Sequence, residues 1–427
     1  MNGETMLTWM KDLFPINRSL SGNGNRDTLV YLKNLIPELE INYFPCGEKV
    51  FDWVVPDEWN ITDAYIELKD GRKIAQFKQN NLHLVSYSEP VDRIIEKSEL
   101  INHLHFLEDF PEAIPYVTSY YEKTWGFCVT KEEFDNLGEG PFHVLIDSSF
   151  KTRSQGGVVN FGEVYIPGVS KQEIMFSTYI CHPSMANNEL SGPVIATALA
   201  KHVNEIEHHY SYRFLFLPET IGSISYLSRN LHSLKSSLIA GWILTCLGDS
   251  GDFSYVPSRT GNNYADKISQ LVLGEFSPRY RKYSWLDRGS DERQYCSPGV
   301  DLPMCSITRS KYGTYKEYHT SADNLGFISP HSLYESYSLF KSIVDQIESQ
   351  RVPKISVLCE PQLGKRDLYP NLSKRDGYST DLQNQLNVIS YLDGAHSVEE
   401  IADICGLTTS QVEEILRILL NENLIDI

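Results

Sequence analysis

Imidazole and carboxylate side chains follow several apolar segments of this chain, and these residue types can hold and use a metal ion. MFSTYIC runs into His182, RFLFLP into Glu219 and GWILTCLG into Asp249. A fourth apolar segment, LPMCSIT, precedes a loop that contains His319 and Asp323. In open α/β sheets, ligands bind beyond the carboxyl ends of the strands. These residues therefore predict a hydrolytic type of zinc site, in which an open position holds a water that the metal activates.

Each of these residues also has a plainer interpretation. A lone His after a strand is more often a hydrogen-bonded loop residue, and a lone Glu can simply cap the next helix. Their recurrence at successive strand ends favours the metal site. Cys181 beside His182 raises the alternative of a cysteine nucleophile, but adjacent strand residues point to opposite faces, so we expect these two side chains not to face each other.

Two changes of pattern divide the chain. From roughly residue 47 to 147, short aromatic and β-branched segments (VFDWVVP, DAYIELKDG, KIAQFKQ, FHVLID) are broken by turn signals and predict a small strand-rich unit. From about 157 to 347, apolar strands alternate with helices, predicted near 192–207, 221–231 and 263–273. This alternation predicts a mixed, mostly parallel sheet covered by helices.

The C-terminal segment SVEEIADICGLTTSQVEEILRILLNENLIDI has helix-turn-helix spacing, with Gly406 in the turn. A DNA-binding version would need basic residues around the second helix. Residues 381–427 contain only one base, Arg417. The acids there are Asp381, Asp393, Glu399, Glu400, Asp403, Glu413, Glu414, Glu422 and Asp426. We therefore expect this winged helix to contact a protein partner or a second copy of the chain, and not DNA.

Composition narrows the class of protein. The 427 residues are 41% hydrophobic and 22% charged, without the apolar run of about 18 residues that a membrane helix needs. The net charge of −18 argues against nonspecific binding to nucleic acid or anionic lipid. The eight cysteines form no CxxC pair, and the opening MNGETMLTWMKDLF lacks the features of a secretory signal. We expect a cytoplasmic protein with reduced thiols.

Four segments together resemble the signature of co-catalytic zinc aminopeptidases. CHPSMANNELSG resembles the family segment in which a His ligand is followed by an acidic-x-x-Ser-Gly turn that opens a helix, and LPETIGSISYL resembles the Glu-containing strand end of that family. GSDERQYCSPGVDLP and YHTSADN resemble its Gly-Ser-Asp segment and its late His ligand. With PINRSLSGNGNRDTL near the start, the whole chain resembles a group of microbial aminopeptidase-like proteins with an inserted domain and a C-terminal winged helix.

The resemblance implies an α/β zinc exopeptidase sandwich of the phosphorylase/hydrolase-like type. We assign 1–46 and 150–350 to a discontinuous catalytic domain, 47–149 to a β-rich inserted domain and 353–427 to the winged helix. Members of the group often occur among genes for surface polysaccharide synthesis, which suggests the same context here.

The chain departs from the family at the metal. The family pattern expects an Asp that bridges two zinc ions at position 188, where this chain has Asn188 followed by Glu189. An amide is a poor bridging ligand because its one modest oxygen carries no charge. The next strand places Thr245 where a ligating Asp is expected, with Asp249 as the nearest carboxylate, and a pair of glutamates is reduced to Glu219. These changes predict one zinc ion per chain.

Two ligand sets stay open for that ion. One set is His319 and Glu219 with either Asn188 or Glu189. The other is His182 with Asp249. The remaining carboxylates would then be free to act as the general base.

For catalysis, we assign the general base to Glu219 or Glu292, and orientation of the His ligands to Asp291 and Asp323. Arginines in loops rich in Ser, Gly and Asn can hold a carboxylate or phosphate group of the substrate, and these are Arg18, Arg259, Arg288 and Arg293. The chain is thus expected to be a metal-dependent hydrolase of an amide in a small, acidic peptide or sugar-linked substrate. The alternative is a non-catalytic descendant that binds a ligand or acts as a protein scaffold.

Overall fold

The structure, a computed structural model, describes residues 1–350, 352–369 and 379–426. Residues 370–378 and 427 of the predicted third domain lie outside this description. The strands, in chain order, are β1 Glu40–Pro45, β2 Lys49–Val50, β3 Trp53–Val54, β4 Glu58–Glu67, β5 Lys73–Ile74, β6 Val91–Ile95, β7 Leu104–His105, β8 Phe127–Cys128, β9 Phe142–Lys151, β10 Val158–Ile166, β11 Glu173–Tyr179, β12 Ser211–Leu217, β13 Leu238–Leu244, β14 Ser254–Val256, β15 Arg281–Lys282, β16 Met304–Thr308, β17 Lys354–Ile355 and β18 Ile425–Asp426.

Helices alternate with these strands over much of the chain. They are α1 Gly3–Leu13, α2 Asn23–Leu35, α3 Lys97–Leu100, α4 Lys131–Asp135, α5 Ser191–Glu205, α6 Ile221–Ser237, α7 Tyr264–Phe276, α8 Glu292–Tyr295, α9 Pro330–Ser349, α10 Thr380–Ile389, α11 Val398–Cys405 and α12 Thr409–Asn421. A single π-helical turn, Ala186–Leu190, leads into α5. None of the described helices is long and apolar enough to cross a bilayer.

An eight-stranded mixed sheet forms the centre, in the order β1-β10-β12-β11-β13-β16-β14-β15. Its four middle strands, β12, β11, β13 and β16, run parallel to one another. Every residue of β11 and β13 is buried, as expected for strands covered on both faces. The carboxyl ends of the four strands therefore meet at one edge, and this brings together residues that are distant in the sequence. The predicted α/β sheet is confirmed.

Alternate side chains of β11 enter two different cores. Ile174 and Phe176 belong to an apolar cluster that includes residues of α1, α5, α7 and α9. Met175 and Tyr179 belong to a second cluster on the opposite face, which includes α6 and much of the segment between β2 and β9. Both faces of the sheet are thus covered, and the inserted segment forms part of the covering.

The inserted segment has its own four-stranded sheet, in the order β5-β4-β9-β6. The prediction that KIAQFKQ forms a strand is wrong beyond Ile74, because Ala75 has a φ of 47° and the strand ends there. Trp59 and Phe142 of this segment share an apolar cluster with Leu217 and Ile243 of the central sheet. The inserted segment therefore packs directly on the central sheet.

The described part of the C-terminal unit contains α10, α11 and α12 and a two-stranded sheet. α10, α11 and α12 enclose a separate apolar cluster, and β17 pairs with β18. Ser397 and Thr408 begin α11 and α12 with capping boxes, and Gly406 ends α11 with a φ of 66°. The predicted helix-turn-helix is confirmed.

Gly192 in the first turn of α5 should be sensitive to substitution. A Cβ there would lie 2.3 Å from the Leu244 carbonyl oxygen and 2.3 Å from Thr178 Oγ1, so the helix would have to move off the strand ends. We expect Gly192→Ala to lower the free energy of unfolding by about 1–3 kcal/mol in urea denaturation. Gly274 of α7 has open space around its Cα, and Gly274→Ala is the matched control, with an expected gain of up to about 1 kcal/mol. Equal effects of the two substitutions would contradict this packing.

Candidate metal centre and substrate pocket

His182 lies just beyond the end of β11, and a buried carboxylate holds its ring. Glu189 Oε2 is 2.9 Å from His182 Nδ1 and also accepts hydrogen bonds from the backbone N–H groups of Cys181 and His182. An ionised carboxylate accepts a hydrogen bond, so the tautomer with the hydrogen on Nδ1 is favoured. His182 Nε2 is then left with a lone pair, 3.8 Å from Glu219 Oε2.

Glu189 is itself paired with Arg18, and neither side chain is exposed to solvent. Arg18 Nε donates to Glu189 Oε1 at 2.6 Å, and Arg18 Nη1 donates to the carbonyl oxygen of Leu13 at 2.6 Å. Burying a charge is costly unless it is paired and hydrogen-bonded. This placement corrects the expectation that Arg18 contacts substrate, because its guanidinium supports Glu189 from behind.

Protonation of the His182 and Glu219 side chains is set by burial and by each other. Burial opposes protonation of His182, but the hydrogen bond and charge of Glu189, together with Glu219, raise its pKa overall. Burial raises the pKa of Glu219, while His182 and Arg293 work in the opposite direction. The Glu219 side chain is 21% exposed, so it remains open to a ligand.

His319 approaches from the loop after β16. Its ring centroid is 5.3 Å from that of His182, and the Tyr116 ring lies about 5 Å from both. Burial, followed by the charge of His182, lowers the pKa of His319 to about 3, so its imidazole is neutral. His319 Nε2 is buried and has no hydrogen-bond partner.

A cavity of about 450 Å³ opens over these residues. His182, Glu219, His319 and Arg293 line its polar side. The opposite wall comes from the inserted segment and consists of Trp53, Tyr116, Thr118, Tyr120 and Tyr121. The inserted segment therefore completes a pocket at the strand ends, which is where ligands bind in such sheets.

Backbone contacts hold this wall against the His319 loop. The Tyr116 N–H donates to the His319 carbonyl oxygen at 2.9 Å, and the Ser321 N–H donates to the Ile114 carbonyl oxygen at 2.9 Å. The Ile114 N–H also donates to Ser321 Oγ. These hydrogen bonds hold the pocket wall formed by the inserted segment in a fixed position relative to the His319 side chain.

Asp291 and Arg293 border Glu219 from α8. Asp291 Oδ1 accepts from the Thr220 N–H and from Ser223 Oγ, both at 2.8 Å. Burial, then the charge of Glu219, raises the pKa of Asp291 to about 7. Arg293 Nη2 donates to Thr220 Oγ1 at 2.8 Å. Both residues thus shape the loop that presents Glu219. Asp291 was predicted to orient a histidine ligand, but its described hydrogen bonds go to Thr220 and Ser223.

Asp323 holds the π-helical turn that carries Asn188. Its carboxylate accepts from the backbone N–H groups of Asn187 and Asn188 at 2.6 and 2.8 Å. Burial raises its pKa to about 7. Asp323 was predicted to orient a histidine ligand, and the structure instead places it under Asn188.

The carboxylates of Asp249 and Glu292 form hydrogen bonds outside the cavity. Asp249 accepts from Asn187 Nδ2 at 2.8 Å and from Ser310 Oγ at 2.8 Å. Glu292 accepts from Tyr312 Oη at 2.5 Å, from Ser306 Oγ and from two backbone N–H groups. The predictions of Asp249 as a ligand and Glu292 as a base are therefore corrected, because their oxygens are used in structural hydrogen bonds away from the cavity.

Two of the remaining predicted arginines also lie outside the cavity. Arg259 pairs with Asp301 at 2.5 Å, and Arg288 is exposed, with its guanidinium 5.0 Å from the Trp285 ring centroid. Arg293 is the predicted substrate arginine that lines the pocket. Loop composition alone could not separate these cases, since it carries no information on distance.

Cys181 does contact its neighbour, contrary to expectation. Its Sγ lies 3.4 Å from His182 Nδ1, because the chain has left the regular strand by this point. The same ring nitrogen already bonds Glu189, and burial raises the pKa of the Cys181 thiol well above its ordinary value. The thiol is therefore protonated and poorly suited to act as a nucleophile.

The side chains around the cavity include donor types that bind metal ions, but the family's second carboxylate position is changed. Asn188 Oδ1 and His319 Nε2 are buried without partners, and His182 Nε2 and Glu219 Oε2 face each other as two acceptors. Imidazole nitrogens and a carboxylate oxygen are donor types that zinc accepts. For a second ion, the position of the family's other carboxylate is taken by Thr245, whose hydroxyl donates to the Asn188 carbonyl oxygen at 2.6 Å. Among the described residues, the compact cluster of Cys181, His182 and Glu189 is already joined by internal hydrogen bonds.

Comparison with known proteins identifies the family. The model for a domain of unknown function, DUF4910, matches residues 7–350, and a winged helix-turn-helix model matches 351–427. A Clostridium acetobutylicum protein, named as a polysaccharide biosynthesis protein with an aminopeptidase-like domain, is 42% identical over 412 residues, covering 96% of this chain and 93% of that protein. The chain belongs to the DUF4910 family.

Solved structures extend this relationship. A crystal structure from Clostridium acetobutylicum, described as a peptidase, is 40% identical to this chain with a TM-score of 0.80. The match covers 100% of this chain and 96% of the chain in that structure. A zinc aminopeptidase from Bacillus subtilis has a TM-score of 0.57 at 10% identity, covering 81% and 95%. An aminopeptidase from Aneurinibacillus has a TM-score of 0.52 at 14% identity, covering 81% and 93%. The last two share the fold alone, and the predicted resemblance to zinc aminopeptidases is confirmed.

The Arg18–Glu189 pair yields a test of the site's foundation. We expect Arg18→Met to lower the free energy of unfolding by about 3–5 kcal/mol, because it leaves the Glu189 carboxylate buried without its counter-charge. Urea denaturation of the full chain measures this. Arg259→Met, which breaks the solvent-exposed pair with Asp301, is the matched control, with an expected loss of about 0–1 kcal/mol. Similar losses for both variants would refute a special role of the buried pair.

Proposed function

We propose that the protein is a cytoplasmic metal-dependent hydrolase that cleaves an amide bond in a small, acidic, peptide or sugar-linked substrate. The observation that carries the proposal is the placement of Glu219. It is a pocket-lining carboxylate, 3.8 Å from Nε2 of His182, in the pocket that His319 also lines with its unpartnered Nε2. A carboxylate that is open to the pocket, with imidazole side chains in the same pocket, is suited to metal-assisted amide hydrolysis.

We assign metal binding to His182 and His319, with the Asn188 carboxamide as an oxygen donor, which leaves the Glu219 carboxylate free for proton transfer. Zinc is the expected ion, one per chain. When bound, such an ion lowers the pKa of a water molecule and polarises the scissile carbonyl. Glu189 and Arg18 maintain the His182 tautomer that leaves Nε2 free.

Glu219 acts as the proton carrier in this proposal. It accepts a proton from the attacking water and returns it to the leaving nitrogen. Its raised pKa favours that exchange, because a carboxylate with an ordinary pKa holds a proton only weakly near neutral pH. Arg293 lies next to it in the pocket and provides the positive charge for an acidic group of the substrate.

Surface polysaccharide formation is the proposed context. Its support is the name of the Clostridium acetobutylicum relative, together with a pocket that admits a small molecule. We also propose that the acidic winged helix contacts a protein partner or a second copy of the chain.

A non-catalytic ligand-binding protein is the second candidate. Asn188 Nδ2 and the Thr245 hydroxyl form hydrogen bonds at the two positions where the family pattern has metal-binding carboxylates. A chain that had lost its metal would tolerate both changes. Metal content separates the two candidates.

Elemental analysis of protein purified without added metal should find about one zinc ion per chain. We expect His319→Ala to lose it, because one of the two imidazole donors is removed. His232→Ala, on the α6 surface far along the helix, is the control and should keep the metal. Absence of zinc in the wild type, with zinc gained by Asn188→Asp, would support the non-catalytic candidate.

Glu219→Gln should lower kcat by about 10²–10⁴-fold while zinc content is unchanged, since the amide cannot take up the proton. Release of amine from a panel of aminoacyl and N-acyl amino-sugar substrates, each in neutral and acidic form, measures this. Glu139→Gln, at an exposed site of the inserted segment, is the control. Full activity of Glu219→Gln would remove Glu219 from the mechanism, and equal turnover of neutral and acidic substrates would exclude the Arg293 contact.

A further inference from the structure

The wall that the inserted segment contributes to the pocket is aromatic and open. Trp53 of β3 is 41% exposed and Tyr121 is 52% exposed, and their rings meet edge to face at 5.9 Å between centroids. Tyr121 Oη donates to the Val54 carbonyl oxygen at 3.0 Å, which ties the two chain segments together. Large aromatic side chains held rigidly in solvent at the mouth of a pocket indicate a ligand surface.

The Tyr120–Tyr121 segment separates this pocket from a second cavity of about 320 Å³. Both tyrosines line both cavities. The second cavity also has three carboxylates, Asp57, Glu89 and Glu122, against one cation, Lys123, and these carboxylates form no ion pair among the described residues. A ligand that extends past Tyr121 would therefore meet a row of hydrogen-bond acceptors carrying negative charge.

These surfaces favour a particular chemistry. Because the aromatic faces stay partly open to water, the occupant must be apolar on one face and hydrated on the other. A pyranose ring meets this requirement, with C–H groups on one face and hydroxyl groups around its edge. Hydroxyl groups can donate to the carboxylates of the second cavity, whereas an acidic peptide chain would be repelled there.

We propose that the inserted segment is the saccharide-binding part of the protein, with one sugar ring against Trp53 and Tyr121 and the next ring beyond Tyr121. The proposal rests on the proposed function, and it names the substrate class: an oligosaccharide whose first ring carries the amide that faces Glu219. The acidic group of that substrate is on the first sugar ring, next to Arg293, and the second sugar ring is neutral.

Saturation-transfer NMR and tryptophan fluorescence titration of the full chain test the proposal. The probes are N,N′-diacetylchitobiose, cellobiose, a disaccharide with one uronic acid, and the amide of the dipeptide Phe-Phe. We expect at least one disaccharide to bind more tightly than the dipeptide. Trp53→Ala and Tyr121→Ala should each weaken that binding by about three- to tenfold, the range for loss of one aromatic contact.

Tyr43→Ala, which removes an equally exposed tyrosine from β1, is the control and should bind as the wild type does. The proposal is overturned if none of the disaccharides binds, if the dipeptide binds more tightly, or if both aromatic variants bind saccharide normally. Circular dichroism checks that the variants are folded.

The same titration in Glu219→Gln separates this proposal from the proposed function. Saccharide binding by Glu219→Gln, with no hydrolysis by the wild type, would leave the sugar site standing and reject the hydrolase. Hydrolysis of peptide amides without saccharide binding would do the opposite.

Discussion

The buried Glu189 carboxylate is the constraint on which the candidate site depends. Its two oxygens are satisfied by the Arg18 guanidinium, by two backbone N–H groups and by the His182 ring. A carboxylate cannot be buried cheaply without such partners. The N-terminal loop, the end of β11 and the start of α5 must therefore meet at this point. The same contacts leave His182 Nε2 as the nitrogen that faces Glu219.

This arrangement also accounts for the changed residue pattern. In the family pattern, negative charge is expected at position 188, next to the metal ions. Here the charge stands one residue later, at Glu189, where it bonds to Arg18 and to the back of the His182 ring. Asn188 turns its amide nitrogen to the Tyr179 hydroxyl. The residue at position 188 thus carries no negative charge, in contrast to the family pattern.

The inserted segment closes one side of the pocket at the strand ends of the central sheet. The strand-end edge of the sheet supplies the polar groups, but on its own it would leave them open to water on one side. The inserted segment covers that side with tyrosines and is bound to the His319 loop through backbone hydrogen bonds. Electrostatic interactions between Glu219, His182 and Arg293 are stronger in such a partly closed site than in bulk water. Two units of the chain therefore share one pocket.

Much of the fold was predictable because its signals are local. The continuous apolar runs of β11, β12, β13 and β16 indicate buried parallel strands, and the capping residues around Gly406 mark the C-terminal helices. The alternation of strands and helices predicted the sheet, and the helix-turn-helix spacing predicted the winged helix. The positions of His182, Glu219 and His319 after strands also predicted them as site residues, and these three line the same cavity.

Residue type and spacing thus determined the class of fold and the side chains that could bind a metal. They did not determine which polar groups remain free, since that depends on partners far away in the chain. Arg18 and Glu292 resemble Arg293 and Glu219 in sequence context, yet the first two are used up by buried hydrogen bonds. Trp53 and Tyr121 carry no local signal of function at all. Only the tertiary structure decided these roles, because burial and hydrogen-bond satisfaction are set by contacts between chain segments, such as the contact of Arg18 with Glu189, 171 residues away.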